Sequence, residues 1–303
     1  MRNLSRCYGE HAIKVSDSYC SGHSKQAAIL SPKMNMISST HDTVKCTYRL
    51  KCSNQIQLFV TVTWCSVMDQ GFTISIVDHP SSPFRFYAKK LYFGKSKGNK
   101  IFGSSDTRIE ILWDLATAKY DIGPDPVSGF YVALLLNSEL ILLLGDKQDV
   151  EVNKIISRIS SESKFRLVSR SEQLSGSSVY STKAQFFDKG RSHDIVIKCI
   201  AEEKGQKELM IGIYIDEKNV IEVKNLHWNF RGNESVYIDG CLVDMMWDVH
   251  DWLFNPKSGN AHFMFRPRTG LDYRLWLDDD KLEKNEQEID GSSLLICAFK
   301  NPD

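Results

Sequence analysis

The sequence predicts an all-β protein of two tandem, internally duplicated antiparallel β-sandwich or barrel domains, with one short helix after the first. Three observations carry this. Apolar and polar residues alternate over most of the chain, the period of a strand with one dry face. Helix spacing occurs only in "QDVEVNKIISRI", Gln148–Ile159, which gathers Val152, Ile155, Ile156 and Ile159 on one side. Finally, "IEILWDLATAKY" from Ile109 and "VDMMWDVHDWLF" from Val243 are the same phrase, with Trp113 matching Trp247.

The elements follow in order. In "VKCTYRLK" Val44, Cys46, Tyr48 and Leu50 alternate with Lys45, Thr47, Arg49 and Lys51, and "IQLFVTVTW" repeats the pattern from Ile56 to Trp64. "FTISIV" and "FRFYAKKL" come next, set apart by the turn signals "MDQG" and "DHPSSP". "RIEILWDL" is another strand, and "GFYVALLL" and "ELILLLGD", separated by Asn137 and Ser138, form a tight hairpin. After the helix, serines crowd residues 160–179 around a short "FRLV" strand, the composition of a surface linker. Strands then resume with "TKAQFF", "HDIVIKCI", "ELMIGIYI" and "VIEVKNLHW". The expected division is a flexible N-terminal segment (1–43), a first β domain (44–159), the linker (160–179) and a second β domain (180–299) that includes an acidic loop (278–290).

The duplication extends beyond the opening phrase. Gly98, Asn99 and Asp114 match Gly232, Asn233 and Asp248 at the tryptophan offset, and "SGFYVAL" matches "SGNAHFMF" after a change in connection length. Ile109, Ile111 and Trp113 share a strand face, as do Val243, Met245 and Trp247, which makes both tryptophans core residues. The other face repeats the acids Glu110 and Asp114 as Asp244 and Asp248. Acids four residues apart on a strand lie about 13 Å apart, beyond the roughly 5–9.5 Å of a glycosidase pair, so these read as structural.

The runs "ILWDLATAKYDIGPDPVSGFYVALLLNSELILLLGD", "TKAQFFDKGRSHDIVI" and "NLHWNFRGNESVYIDGCLVDMMWDVHDWLFNPKSGNAHFMF" resemble the plant family catalogued as domain of unknown function 868, over about Val44 to Arg268. That resemblance implies a plant origin. It brings no activity, cofactor or catalytic residue to this chain.

Composition removes several classes. Lys+Arg and Asp+Glu are 38 each, so whole-chain electrostatics do not favour a nucleic-acid or membrane partner. No apolar core of signal-peptide length opens the sequence, and no apolar run reaches membrane-span length. Eight cysteines, six of them in strand-like surroundings, read as small buried residues of a reducing compartment, cytoplasm or nucleus. Cys7, His11, Cys20 and His23 are ligand types for zinc at a spacing that fits no common finger, so no metal is expected. No phosphate loop or dinucleotide fingerprint occurs, and no cofactor is expected. His250 and Asp251 lack an accompanying nucleophile, and as strand neighbours they would point to opposite faces.

With no catalytic residue assigned, the expected function is a non-catalytic binding or scaffolding protein. The alternative is a hydrolase or carbohydrate-active enzyme using acids and a histidine such as Asp248 and His250 in a sheet-lined cleft. The candidate binding residues lie in "KKLYFGKSKGNK", where Lys89, Lys90, Lys95, Lys97 and Lys100 surround Tyr92 and Phe93 in a strand followed by a hairpin loop. The matching "KNLHWNFRGNES" keeps only Lys224 and Arg231, so the loop does not require five lysines for its fold. A protein or anionic ligand is the partner such a loop would attract. The bland reading is that edge lysines guard a sheet against aggregation.

Overall fold

The computed structural model describes residues 39–52, 57–66, 71–78, 91–93, 96–103, 108–147, 153–154, 164–188, 190–202, 208–255, 259–268 and 291–300. The N-terminal segment to residue 38, the "FRFYAKKL" strand up to Lys90, the acidic loop 278–290 and most of the helix Gln148–Ile159 lie outside the described residues. Of that helix only Asn153 and Lys154 are described, and both are helical.

The described residues are overwhelmingly strand. In the first half β1 (Thr40–Lys51), β2 (Gln57–Cys65), β3 (Phe72–Asp78) and β4 (Leu91–Phe93) pair in sequence order. β5 (Lys97–Gly103) and β6 (Arg108–Asp114) are followed by the short pair β7 (Lys119–Tyr120) and β8 (Pro126–Ser128), then β9 (Tyr131–Leu136) and β10 (Glu139–Gly145); the sheet order is β10-β9-β6-β5. β11 (Lys164–Gly176) precedes a second four-stranded sheet of β12 (Val179–Ala184), β13 (His193–Glu202), β14 (Glu208–Ile215) and β15 (Lys218–Val223). β16 (Arg231–Ile238), β17 (Cys241–Asp248), the five-residue helix α1 (His250–Phe254), β18 (Asn260–Pro267) and β19 (Ser293–Lys300) complete the order.

The largest sheet draws on both halves of the chain. Its nine strands run β16-β17-β18-β19-β11-β1-β2-β3-β4. β11 is antiparallel to β1 and parallel to β19. The stretch 160–179, read from its serines as a linker, therefore supplies a thirteen-residue strand at the centre of the sheet. Backbone pairing on both edges holds β11, so its polar side chains do not prevent strand formation. Among the described residues no sheet closes on itself, and the barrel option of the expected fold is not formed.

Two large hydrophobic cores lie on one face of this sheet. The first joins Val44, Val60, Val62 and Ile74 to Ile111, Val132 and Leu142 of the sheet β10-β9-β6-β5. The second joins Phe263, Phe265, Ile296 and Ala298 to Ile195, Ile197 and Ile213 of the sheet β12–β15. Residues paired across neighbouring strands point to the same side, and β11 carries the register from one core to the other: Glu172 lies opposite both Val44 and Ile296, Arg170 opposite both Cys46 and Leu294. β9 is buried on both of its faces.

Local chemistry explains the hairpins. Asn137 and Ser138 (φ 49° and 71°), Asp216 and Glu217 (48° and 67°) and Asp239 and Gly240 (50° and 78°) are two-residue left-handed turns, which match the twist of the strands they join. Trp113 and Trp247 are both buried. Each lies over a glycine on the neighbouring strand: a β-carbon on Gly98 would come within 2.7 Å of the Trp113 ring, and one on Gly232 within 2.3 Å of Trp247. A close approach, rather than an unusual backbone angle, requires glycine at both positions.

A charged clasp ties the second outer sheet to the large one. Buried His193, at the start of β13, donates from Nδ1 to Asp216 (2.8 Å) and from Nε2 to Asp239 (3.0 Å), which sit in the β14–β15 and β16–β17 turns. Burial by itself would lower the imidazole pKa, but the Asp239 and Asp216 hydrogen bonds outweigh it and raise the ring above its ordinary value. The hydrogen bond from His193 lowers both aspartates in return. A raised histidine contributes stability that is complete below its unfolded pKa and is lost as pH rises through the folded one. Lowered aspartates contribute stability that is complete above their unfolded pKa and is lost as pH falls through the folded ones. The stability difference between wild type and His193→Gln, measured by urea unfolding, is therefore predicted to be greatest between about pH 4 and about 6.5 and to shrink on both sides. A difference that does not vary with pH would contradict the clasp.

Candidate functional site

A cleft of about 340 Å³ opens above β11, where the two cores meet. Its floor includes Arg170 and His41, one wall is the connection Asp121–Val127 around β7 and β8, and the other comprises Thr182, Ala184 and Ser292. Ile122 and Val127 are exposed apolar side chains at this site.

Arg170 organises the floor. Its Nε donates to Glu172 Oε1, and its Nη1 donates to Asp125 Oδ2 at 2.7 Å. Burial works against a charged guanidinium, but Glu172 and Asp125 outweigh it and raise the pKa further. Glu172 has no exposed surface, an expensive place for a carboxylate unless it is paired. His41, 5% exposed, donates from Nε2 to the Ser181 carbonyl at 2.9 Å. Its Nδ1 faces Glu172 Oε2 at 3.5 Å, and neither of these two buried atoms makes a hydrogen bond.

Sequence reasoning missed this cluster for a definable reason. The β1–β11 register skips a residue between His41 and Thr43, a bulge at Asp42. Strict alternation counted back from Val44 would turn His41 outward; the extra residue turns it inward. A second register shift, between Thr47 and Tyr48, skips Val168 on β11 and brings Leu167 and Arg170 to the same face. The residues that could have raised suspicion were Arg170 and Glu172, two charges at strand spacing inside a stretch otherwise read as linker.

The lysine site is not assembled as expected. Lys89, Lys90 and Lys95 lie outside the described residues. Tyr92 and Phe93 belong to β4, whereas Lys97 and Lys100 belong to β5, the edge strand of a different sheet, and not to a hairpin loop. Phe93 is a core residue, stacked on Phe72 (4.9 Å between ring centres) and edge-on to Trp113 (4.8 Å), so it offers no aromatic surface to a ligand. Lys97 lies 3.5 Å from Asp114, and Lys100 sits 5.8 Å from the centre of the Phe93 ring.

The four acids Glu110, Asp114, Asp244 and Asp248 all face basic side chains, and Asp114 and Asp248 do so alike. Asp114 accepts from Lys147 (2.8 Å) and from the Ala116 N–H (3.0 Å); Asp248 accepts from Arg231 (2.8 Å) and from the His250 N–H (3.1 Å). Burial would raise both carboxyls, but these donors hold them below the ordinary range. Asp244 is gripped by Arg268 through Nε (3.0 and 2.9 Å) and accepts from Ser235 (2.6 Å), while Glu110 lies 3.8 Å from Arg108. None of the four lines the cleft. His250 and Asp251, which strand alternation would separate, meet at 3.0 Å because the chain turns into α1 at His250, and this pair also lies away from the cleft. Among the described residues no group of three or more His, Cys, Asp or Glu is placed to hold a metal, and the candidate ligands Cys7, His11, Cys20 and His23 lie outside them.

The model of a family described as plant protein of unknown function (DUF868) matches residues 39–300, and the chain belongs to that family. A search of curated proteins and of solved structures returned no match. Among the described residues no helix is long and apolar enough to cross a membrane.

Arg170→Ala strands the buried Glu172 carboxylate and is predicted to destabilise the fold by about 3–5 kcal/mol. The double substitution Arg170→Met with Glu172→Leu removes both charges together and is predicted to recover most of that loss. Chemical denaturation of the two variants decides it; a double variant as unstable as the single one would show that the ion pair itself is indispensable.

Proposed function

On the premise of this family membership, we propose that the protein is a non-catalytic binding protein in which two tandem copies of one β unit, joined through β11, hold a small polar ligand in the cleft over Arg170. The observation that carries the reading is the combination of an open cavity with a floor of fixed charges, two of whose buried polar atoms have no partner. A volume of about 340 Å³ is at the lower end of small-molecule pockets, which span roughly 300–1,000 Å³.

The tandem-copy part is supported by matching details. Gly98 under Trp113 and Gly232 under Trp247 use one packing device, and Asp114 and Asp248 each accept from the N–H two residues on. Binding is favoured over hydrolysis because the cleft histidine directs its Nε2 to a backbone carbonyl and not to a hydroxyl nucleophile, and because Asp248 and His250 lie elsewhere. We assign Lys97 and Lys100 to guarding the β5 edge. An intracellular location is supported by the six described cysteines, all free. Burial raises the Cys52 and Cys199 thiols to about 11 and about 12, which makes them poor nucleophiles.

Amide chemical-shift mapping with a library of uncharged and charged fragments tests the cleft. The predicted result is that perturbations converge on Gly123, Thr182, Ala184 and Ser292. Fragments that perturb other surfaces only, or none, would contradict the proposal.

A further inference from the structure

On the face of the large sheet turned away from both cores, a thiol, an imidazole and a carboxamide stand side by side. Leu294, Ile296 and Ala298 of β19 and Ala261, Phe263 and Phe265 of β18 are buried in the second core, so the residues between them, Cys297 and His262 included, point the other way. Cys297 lies opposite His262 on β18 and opposite Gln173 on β11, and His262 in turn lies opposite Asp248 on β17. Gln173 is exposed, and the other three are part-exposed.

The neighbours in this row are chemically matched. Cys297 Sγ stands 3.3 Å from His262 Nδ1, within hydrogen-bonding reach of a sulfur. With the ring proton on Nε2, Nδ1 accepts from the thiol. Burial pushes the Cys297 thiol above its ordinary value, so near neutral pH the sulfur keeps its proton and attacks only where a base takes it. His262 stands where that base is needed. Asp248, held ionised by Arg231 and the His250 N–H, favours the positive ring that forms as the proton arrives. Cys65 and Cys241 are part-exposed free cysteines too, yet among the described residues neither is hydrogen-bonded to a histidine.

The surroundings select the electrophile. The positions flanking Cys297 carry no fixed charge: Leu295 and Phe299 along β19, Asn260 and Met264 along β18, Ser171 and Ser175 along β11. Leu295, Phe299 and Met264 suit a carbon chain, and no cation among these positions would draw a carboxylate. The Gln173 carboxamide, one strand over, has N–H groups to give to a carbonyl oxygen.

We propose that Cys297 is a modification site for uncharged, apolar α,β-unsaturated carbonyl compounds, with His262 as the base and Gln173 as the donor to the carbonyl oxygen. The thiol proton passes to His262 Nδ1 as Sγ bonds to the β-carbon. The double-bond electron pair shifts so that negative charge rests on the carbonyl oxygen, facing Gln173, and His262 then delivers its proton to the α-carbon. A C–S bond and a C–H bond replace the S–H bond and the π bond of the alkene, with no oxidant, reductant or leaving group. The thioether stays on the chain, so the site is modified once and does not turn over. It shares no residue with the cleft and does not depend on the ligand reading of that cleft.

The test exposes the folded protein at neutral pH to 1-octen-3-one, iodoacetamide and glutathione disulfide, and follows each cysteine by peptide mass spectrometry, with rates expressed relative to those of N-acetylcysteine. Cys297 is predicted to take up the enone faster than Cys65 or Cys241 by about tenfold or more, and to show a smaller relative rate with glutathione disulfide. His262→Ala is predicted to remove that advantage while leaving the thermal midpoint close to wild type, and added imidazole to restore part of it. Gln173→Leu is predicted to slow the enone severalfold and to leave iodoacetamide, whose displacement needs no such donor, unchanged. Reaction of Cys297 no faster than that of Cys65 and Cys241 would overturn the site, and this comparison is made in the wild-type protein, so it holds even where a variant does not fold. A Cys297 rate that His262→Ala leaves unchanged would overturn the base. A relative preference for glutathione disulfide would overturn the class of electrophile, and equal slowing of enone and iodoacetamide by Gln173→Leu would overturn the carbonyl contact.

Discussion

The double pairing of β11 is the constraint on which the rest of the structure depends. One edge of this strand bonds antiparallel to β1 and the other parallel to β19. A parallel pair cannot be closed by a tight turn, and here the connection between β11 and β19 runs through the whole of β12–β18. The first half thereby supplies four strands of the large sheet, and the second half supplies five. Each half then covers its part of the shared face with a four-stranded sheet of its own, and the strip above β11 is left to a connection and strand ends.

That strip is where polar chemistry gathers. Val44 and Ile296 flank Glu172 from the two cores, and a hydrophobic residue in its place would have joined those cores into one. Instead the strand carries an ion pair whose desolvation is tolerated only because Arg170 is held by two carboxylates at once. Replacing such groups with well-packed apolar residues is often neutral or stabilising, so stability alone gives no reason to keep them. A ligand site does give one. The bulge at Asp42 turns His41 into the cleft above the strand, beside the inward-facing Arg170.

Much of the architecture was legible in the sequence. The alternation in β1 and β2 and the two-residue turn at Asn137–Ser138 rest on local physics, and each appears in the structure with its register. β11 was not legible. Its inward positions include Arg170 and Glu172 and its outward ones serines, so no apolar face announces a strand; its place is set by partners distant in sequence. The cleft was hidden for a related reason. A one-residue bulge reverses which side chains face inward, and alternation counted from the sequence has no means of registering it. The lysine stretch misled because neighbours in sequence, Phe93 and Lys97, enter different sheets.

If β11 is shared between the halves, neither core can open without breaking its pairing on one side, and the two should unfold as a single cooperative unit. Native-state hydrogen exchange measures this directly at the β11 amides from Ser169 to Ser175. The account predicts that these amides, together with those of β2 and β18, exchange through one common opening whose free energy equals that of global unfolding. A lower-energy opening that releases the amides of one core while β11 and the other core stay protected would contradict it.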